Sequence, residues 1–361
     1  MNQLATQFPT TDSAIDSTEY LRGALQWHFS ESTGSPLWLS IAQTLDFDPL
    51  TDIETYADLQ RFPDISEYLR SSRVEDLIPR GLLSDSVPPS VYETGGTTGS
   101  PKRLIYTSDW IERCLSWKVD ELRTGGFPEG RPWLVAMPSG PHAYGHTARL
   151  QARELGSIVH TIDIDPRWVK KSIASGERVD AYINHLIDQL GHIISTQEIW
   201  ALTTTPPILA ELVLRAGLAE KLAKTLTFIS LAGAHLDDDT FDVIADVFPR
   251  ARIQNVYGST MVLTTARIRN PNDPAPQTIY DGYSPYTVFA VVDPDTLESV
   301  EYGERGQVRM SHVSRGAFVP NNLERDSAIR VIGPLGGVGD SLSSPRPLDS
   351  FDGETVITGV Y

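Results

Sequence analysis

Between residues 133 and 256, short apolar runs alternate with segments long enough to form helices, and this alternation constrains the fold more than any other feature. The runs are Trp133–Met137, Ser157–Ile162, Ile199–Thr203, Leu226–Leu231 and Arg252–Val256. Apolar strands joined by crossover helices form mostly parallel sheets, whose ligand sites lie at the strand ends. The sequence therefore predicts an α/β fold with a mostly parallel, helix-flanked sheet.

The part of the chain before residue 84 has a helical pattern. The stretch Ser17–Phe29 carries apolar residues at helical spacing. Thr51, with Glu54 three residues later, forms a capping-box pattern that predicts another helix ending before Pro63. We expect this first part to be mostly helical.

The last third of the chain loses helical periodicity and predicts a smaller β-rich subdomain. Its expected strands are Thr287–Val292, Gly306–Ser311 and Ala328–Ile332, whereas the glycine cluster Gly333–Gly339 predicts a loop. One domain spanning residues 1–361 is expected, with a helical part (1–83), an α/β part that binds nucleotide and acyl group (84–270) and a β-rich part (271–361).

Charge and composition exclude several classes of function. With 30 Lys and Arg against 47 Asp and Glu among 361 residues, the formal net charge is −17, which disfavours nucleic-acid and anionic-membrane partners. The single cysteine, Cys114, cannot form an internal disulfide or a multi-thiolate metal site. We see neither a signal peptide nor an apolar stretch of ~20 residues, so a cytoplasmic protein is expected.

The most informative segment is the Gly/Thr loop, Tyr92-Glu-Thr-Gly-Gly-Thr-Thr-Gly-Ser-Pro-Lys102. Its glycines allow close approach, its hydroxyls donate hydrogen bonds and Lys102 adds a positive charge, which together suit a phosphate. The loop lacks both the GxxxxGK[ST] and the GxGxxG patterns. The alternative is a flexible hairpin loop without a ligand.

This loop resembles the signature T-[SG]-G-[ST]-T-G-x-P-K of the adenylate-forming (ANL) superfamily. Further motifs follow in the family's order, and the last is similar to the phenylacetate-CoA ligase branch; they are Ser230-Leu-Ala-Gly-Ala-His-Leu236, Asn255-Val-Tyr-Gly-Ser-Thr260, Tyr302-Gly-Glu-Arg-Gly-Gln-Val308 and Asn322-Leu-Glu-Arg-Asp326. Alone, the first of these suits a tight strand-to-helix turn, and Asp326 suits a solvent-facing loop.

The resemblance implies a nucleotide site for ATP or AMP. The loop residues would hold the β- and γ-phosphates, and Gly233 and Ala234 would line adenine. Tyr257 would stack on adenine, Gly258 beside it would belong to the same nucleotide site, and Asp326 would bind the ribose. Thr260 would contact the α-phosphate, and with Lys102 and His146 it completes the expected catalytic set. The implied loop residues are Thr94, Gly95, Gly96, Thr97, Thr98 and Gly99.

A histidine-rich segment, Pro138-Ser-Gly-Pro-His-Ala-Tyr-Gly-His146, resembles the segment that borders the family's acyl pocket. His142, Tyr144 and His146 would then flank an aromatic acid. The two histidines also have the i, i+4 spacing of zinc ligands, but no third ligand is evident. A structural Gly/His loop is the other interpretation, and Tyr283 and Trp200 suit either core or pocket walls.

Two features depart from the family's pattern. The position of its Mg²⁺-holding glutamate is Met261, whose soft thioether suits that hard cation poorly, so we expect Mg²⁺ binding to be weakened and assign no metal ligand. No lysine follows Lys224, so we expect the family's mobile C-terminal lysine domain to be absent. A full cycle with coenzyme A is then not expected.

Within the superfamily, the chain looks most like a short adenylating-type protein of phenazine antibiotic biosynthesis. The resemblance implies ATP-dependent adenylation of an aromatic, phenazine-type carboxylic acid, which a downstream reductase or transferase would consume. The alternatives are a degenerate protein that binds or carries AMP and an aryl ligand, and a half-enzyme that needs a partner domain in trans. A homodimer is compatible with these readings, and neither nucleic acid nor membrane is an expected partner.

Overall fold

Helices dominate the chain up to residue 247. The computed structural model describes residues 8–9, 16–95, 100–271, 278–348, 350–351 and 354–355. Short 3-10 helices occur at Tyr56–Arg61, Arg80–Leu82 and Thr260–Val262. The α-helices are α1 (Ser17–Phe29), α2 (Pro36–Ala42), α3 (Ser66–Ser71), α4 (Val74–Leu77), α5 (Ser108–Thr124), α6 (Ala143–Glu154), α7 (Pro166–Ala174), α8 (Asp180–Thr196), α9 (Pro206–Val213), α10 (Ala216–Ala223) and α11 (Asp238–Val247).

Among the described residues, the strands form one parallel sheet, one antiparallel sheet and short two-stranded pairs. They are β1 (Ser90–Glu93), β2 (Arg103–Tyr106), β3 (Trp133–Val135), β4 (Val159–Thr161), β5 (Ala201–Thr204), β6 (Phe228–Leu231), β7 (Arg252–Asn255), β8 (Gly258–Ser259), β9 (Thr264–Thr265), β10 (Arg267–Ile268), β11 (Ile279–Asp281), β12 (Thr287–Val292), β13 (Arg305–Val313), β14 (Phe318–Val331), β15 (Ser341–Pro347), β16 (Ser350–Phe351) and β17 (Glu354–Thr355).

The parallel sheet has the order β4-β3-β5-β6-β7, which confirms the predicted α/β fold. Successive side chains of a strand point to opposite faces. Leu134, Leu202 and Ile229 accordingly pack in the same apolar cluster as residues of α8 and α9. Their neighbours Trp133 and Phe228 pack on the other face with residues of α5 and α6. Because both faces are covered, the three central strands β3, β5 and β6 are buried at every position.

The β-rich part forms an antiparallel sheet of order β10-β11-β15-β14-β13-β12. The predicted strand Thr287–Val292 matches β12, and the predicted Ala328–Ile332 overlaps only the end of β14. The earlier half of β14 contains Pro320 and several polar residues, so it lacks the apolar pattern of a buried strand. Pairing with β13 across register shifts nevertheless holds it in the sheet.

The predicted capping box at Thr51 and Glu54 is wrong. The Thr51 hydroxyl donates to its neighbour Asp52 instead. The following helix is a 3-10 helix that begins at Tyr56, where the Asp58 carboxylate accepts from the Thr55 amide at 2.7 Å. A carboxylate three residues beyond a threonine occurs twice in this stretch, and only the second pair precedes helical backbone.

The N-terminal helices pack against the antiparallel sheet. The Tyr20 hydroxyl of α1 donates to the carbonyl of Val313 at 2.9 Å, and the Trp38 indole of α2 donates to the carbonyl of Phe318 at 3.0 Å. Leu104 of β2 belongs to the same apolar cluster. The β1–β2 hairpin is thereby anchored to the body of the protein. The division of the chain into the parts 1–83, 84–270 and 271–361 stays a prediction.

Candidate functional site

A cleft of about 1190 Å³ opens at the carboxyl ends of the parallel strands. Met137 follows β3, Ala232 follows β6 and Val256 follows β7, and all three line the cleft. In open α/β sheets, ligands bind at this edge because the loops that follow the strands converge there. The second wall comes from β14 and β15 of the antiparallel sheet.

The Gly/Thr loop is closed at its base by two hydrogen bonds. The Thr94 amide donates to the Lys102 carbonyl at 3.0 Å, and the Lys102 amide donates to the Thr94 hydroxyl at 3.1 Å. Thr94, Gly95, Ser100 and Lys102 line the cleft. The predicted residues between them, Gly96, Thr97, Thr98 and Gly99, lie outside the described residues.

At the end of this loop, Lys102 lies among charges of both signs. Burial lowers the pKa of Lys102, the carboxylates of Glu324 and Asp64 oppose this shift, and the charges of Arg70 and Arg325 add to it. Arg70 also donates from Nε to the Ser100 carbonyl at 3.2 Å, which ties α3 to the loop. An anion in the cleft would stabilise these clustered cations. Sequence reasoning assigned neither arginine to the site, because Arg70 lies outside every motif and only Asp326 was given a role in the segment that contains Arg325.

Tyr257 and Asp326 come together although 69 positions separate them. The Tyr257 hydroxyl, just beyond β7, donates to Asp326 Oδ2 of β14 at 3.1 Å. Burial, together with the charge of Glu324, raises the pKa of Asp326 to about 6, although the Tyr257 hydrogen bond opposes this shift. Both residues line the cleft, so a stacking ring and a hydrogen-bond acceptor face the same space.

Gly233 and Ala234 follow β6 and line the cleft with Gly258 and Thr260. Gly233 has a φ of +82°, a left-handed conformation that a side chain disfavours. The backbone can therefore turn sharply at the end of the strand and leave space in the cleft. Thr260 begins the 3-10 helix that connects β8 to β9.

The segment that carries Thr260 is fixed to α5 by three side chains. Trp110 Nε1 and Cys114 Sγ both donate to the Leu263 carbonyl, at 3.0 and 3.5 Å, and Trp117 Nε1 donates to the Thr265 carbonyl at 3.3 Å. Burial raises the pKa of Cys114 to about 12, so its thiol stays protonated at neutral pH. Cys114 is therefore a buried, protonated thiol with a structural role, and the three contacts together hold Thr260 at the cleft.

The histidine-rich segment divides between the cleft and the exterior. His142 and Tyr144 line the cleft at the start of α6. Burial raises the pKa of Tyr144 to about 12, while hydrogen bonds to Thr203 and Ser230 oppose this shift. His146 is exposed, does not line the cleft and contacts the Tyr92 hydroxyl through Nδ1. The structure thus separates His146 from the other predicted site residues.

Met261 is buried among apolar residues at the cleft wall. Its thioether is a soft ligand, whereas Mg²⁺ requires oxygen ligands, so this position does not fit that cation. Over the described part of the chain, no group of three or more His, Cys, Asp or Glu residues is arranged to hold a metal. Likewise, none of the helices described there has the length and apolar character to cross a membrane.

Sequence reasoning also missed a buried cation at the cleft, Lys118 of α5. Ile111, Cys114 and Leu115 of the same helix line the cleft with it. Residues three or four positions apart share a helix face, so this spacing was a usable signal. A lysine at helical spacing suits a solvent-exposed face equally well, so the sequence alone does not place Lys118 in the cleft.

Comparison with known proteins gives consistent matches. The sequence model of a family described as AMP-binding enzyme matches residues 90–316. The D-alanine–D-alanyl carrier protein ligase of Lacticaseibacillus rhamnosus is 23% identical over 246 residues, which is 65% of this chain and 43% of that protein. The chain therefore spans less than half of that relative.

Solved structures of 2-hydroxyisobutyryl-CoA ligase are similar in fold. One, in complex with 2-HIB-AMP and CoA in the thioesterification state, has a TM-score of 0.63 at 15% identity. The match covers 91% of this chain and 66% of the ligase chain. An open conformation with the same ligands has a TM-score of 0.62 at 14% identity, and the match covers 97% of this chain and 83% of the ligase chain. At such identities the likeness concerns the fold.

Proposed function

The chain belongs to the AMP-binding enzyme family, and we propose that it adenylates an aromatic, phenazine-type carboxylic acid. The observation that carries this proposal is the convergence of five predicted nucleotide-site elements on one cleft. They are the base of the Gly/Thr loop, the Gly233 turn, Tyr257, Thr260 and Asp326. His142 and Tyr144 on α6 supply a wall suited to an aromatic ligand.

In this proposal the protein contributes positioning and charge neutralisation rather than a covalent nucleophile. A carboxylate oxygen of the acid attacks the α-phosphorus of ATP, the bond to the bridging oxygen breaks, and pyrophosphate leaves with that electron pair. Lys102 neutralises phosphate charge, the loop hydroxyls donate hydrogen bonds to phosphate oxygens, and Thr260 donates to the α-phosphate. Asp326 accepts from the ribose hydroxyls. A reductase or transferase would consume the acyl adenylate.

Isotope exchange between pyrophosphate and ATP tests this reaction. We expect exchange that depends on an aryl acid such as phenazine-1-carboxylate, and a loss of at least about 100-fold in Lys102→Met because an uncompensated phosphate charge remains. Glu112→Gln, an exposed change on α5, is the matched control. No exchange with any aryl acid in the presence of Mg²⁺ or Mn²⁺ would contradict the proposal.

A second candidate function is a binding or carrier protein for AMP and an aryl acid. The observation that favours it is Met261, which offers no hard ligand where the resemblance implies a glutamate. Calorimetry that detects adenosine or aryl-acid binding beside undetectable exchange would favour this function over adenylation. If the chain does adenylate its ligand, Mg²⁺ would be held by ATP, water and another carboxylate.

Substitution of Met261 measures how much exchange activity is lost because this position lacks a carboxylate ligand for Mg²⁺. We expect Met261→Glu to raise Mg²⁺-dependent exchange at least about tenfold, equivalent to ~1.4 kcal/mol, because a carboxylate binds this cation and a thioether does not. Met261→Gln has a similar shape without the charge and serves as the control. Equal rates for the two variants, both folded by circular dichroism, would show that metal binding at this position is not the deficit.

A further inference from the structure

Lys118 is a buried cation on an otherwise apolar wall of the cleft. It is 7% exposed, and its helix neighbours on the same wall are Ile111, Cys114 and Leu115. Lysine is almost never this buried unless its charge is paired. The adenylation steps proposed above do not use this residue.

Glu121 fixes the position of the Lys118 ammonium. Lys118 Nζ donates to Glu121 Oε2 at 2.6 Å, and Glu121 Oε1 accepts from the Ile268 amide at 2.9 Å. Both carboxylate oxygens therefore have a donor. The ammonium has three N–H groups, and within the described part of the chain only Glu121 accepts from one of them. Two donors remain for a ligand in the cleft.

A stabilising role alone does not explain this pair. Burying two charges costs about as much as their attraction returns, so apolar residues of similar volume would serve stability equally well. A buried polar donor does discriminate among ligands, because a ligand without an acceptor leaves it unpaired. Gln151 of α6, which is 8% exposed, adds another buried polar group to the lining.

The charge balance of the pair selects the kind of acceptor. Lys118 and Glu121 together carry no net charge, so a second carboxylate on the ligand would leave a buried negative charge uncompensated. A neutral acceptor, such as an aromatic ring nitrogen or a carbonyl oxygen, takes a hydrogen bond without adding charge. Hydrogen bonds from charged donors are stronger than neutral ones.

We propose that Lys118, positioned by Glu121, selects aryl acids with a neutral hydrogen-bond acceptor apart from the reacting carboxylate. This inference rests on the proposed aryl-acid substrate. Lys118 contacts the substrate, and Glu121 acts through Lys118 as a positioning residue. The acceptor and the reacting carboxylate together fix the orientation of the planar ring in the cleft.

Two acids of nearly equal shape isolate this contact, phenazine-1-carboxylate and anthracene-1-carboxylate, which lacks the ring nitrogens. Their affinities are measured by calorimetry on the full chain. The double variant Lys118→Met/Glu121→Gln removes both charges and keeps an acceptor for the Ile268 amide. Ser116→Ala, an exposed change on the same helix, is the control. Near-ultraviolet circular dichroism and adenosine binding establish that each variant is folded.

We expect the affinity ratio of phenazine to anthracene acid to fall at least about tenfold in the double variant and to stay unchanged in Ser116→Ala. An unchanged ratio in a folded double variant would overturn the role of Lys118. Tighter binding of phenazine-1,6-dicarboxylate than of the monoacid, lost in Lys118→Met, would overturn the neutral-acceptor specificity. If adenosine binds and neither acid does, the proposed aryl substrate fails first.

Discussion

Asp326 is buried, although its proposed role requires a charged carboxylate. Burial holds its pKa at about 6, against an ordinary value of 3.8, and the Tyr257 hydroxyl donates to it. An ionised carboxylate accepts hydrogen bonds from both ribose hydroxyls, whereas the protonated form keeps fewer acceptor sites. The proposed ribose contact is therefore sensitive to pH just below neutrality.

Adenosine binding should report this titration, since adenosine has no phosphate that titrates in the same range. We expect affinity to weaken as pH falls through about 6, approaching tenfold per pH unit. Titration calorimetry between about pH 5 and pH 7.5 measures the effect. Asp326→Asn should bind weakly and without this pH dependence, and the exposed Asp246→Asn should behave as wild type. A flat wild-type profile would argue against ribose binding at Asp326.

At the level of the element, the β8–β9 hairpin sets the position of Thr260. Its two strands pair through Gly258 with Thr265 and Ser259 with Thr264. A Cβ at Gly258 would lie 2.6 Å from Thr265 Cα and 2.8 Å from the Thr264 carbonyl oxygen. Close approach of two backbones thus explains this glycine, and α5 holds the hairpin from the other side.

Gly258→Ala should therefore force the hairpin apart. We expect a loss of about 1–3 kcal/mol in the free energy of unfolding, because rigid backbone must move, together with weaker ATP binding. Gly217→Ala is the matched control, since no atom lies within 4 Å of a Cβ there and α10 gains about 0.4–1 kcal/mol. Denaturant unfolding measures both changes. Equal stabilities of the two variants would show that the hairpin yields without cost.

At the level of the whole molecule, two buried histidines lie where the N-terminal helices meet the antiparallel sheet. His28 Nε2 lies 2.7 Å from the Ser314 carbonyl oxygen, and His312 Nε2 lies 2.8 Å from the Ser314 hydroxyl. Burial lowers the pKa of His28 to about 4 and that of His312 to about 3. Both are neutral in the folded protein at pH 7.

These histidines should make the fold lose stability in weak acid. In the unfolded chain both histidines have a pKa of about 6.5, so below that pH they bind two protons that the buried, neutral histidines of the native state do not bind. The free energy of unfolding therefore falls as pH falls. Because the pKa of Asp326 is raised in the native state, the native state also binds a proton in this range, and this offsets the effect of one of the two histidines. We expect a net loss of about 1.4 kcal/mol per pH unit between about pH 6 and pH 5, from urea unfolding at each pH.

Variants separate the contributions of single residues to the slope of the free energy of unfolding against pH. Asp326→Asn should steepen it toward the value for two histidines, and His28→Gln should flatten it, because each removes one titrating group. His185→Gln, an exposed change on α8, should leave the slope as in wild type. Stability that stays constant from about pH 6.5 to pH 5 would show that the histidines are not buried as neutral groups.

The sequence by itself determined the strand runs of the parallel sheet, helix α1 and the order of the site motifs. These features depend on local periodicity and on short segments, such as Tyr92–Lys102, whose residue types already limit their chemistry. The alternation of apolar runs and helical segments was sufficient for the fold class. The first half of β14 was not predictable, because its pairing with β13 rather than its own pattern makes it a strand.

Only the tertiary structure decided which side chains share the cleft. The Tyr257–Asp326 hydrogen bond crosses from one sheet to the other, and the burial of Lys118 depends on its partner Glu121 and on the Ile268 amide. The exposed position of His146 likewise follows from how α6 packs, because the face with Tyr144, Thr147 and Gln151 lines the cleft and His146 lies off that face. Sheet order and helix packing fix such contacts, and no local pattern in the sequence records them.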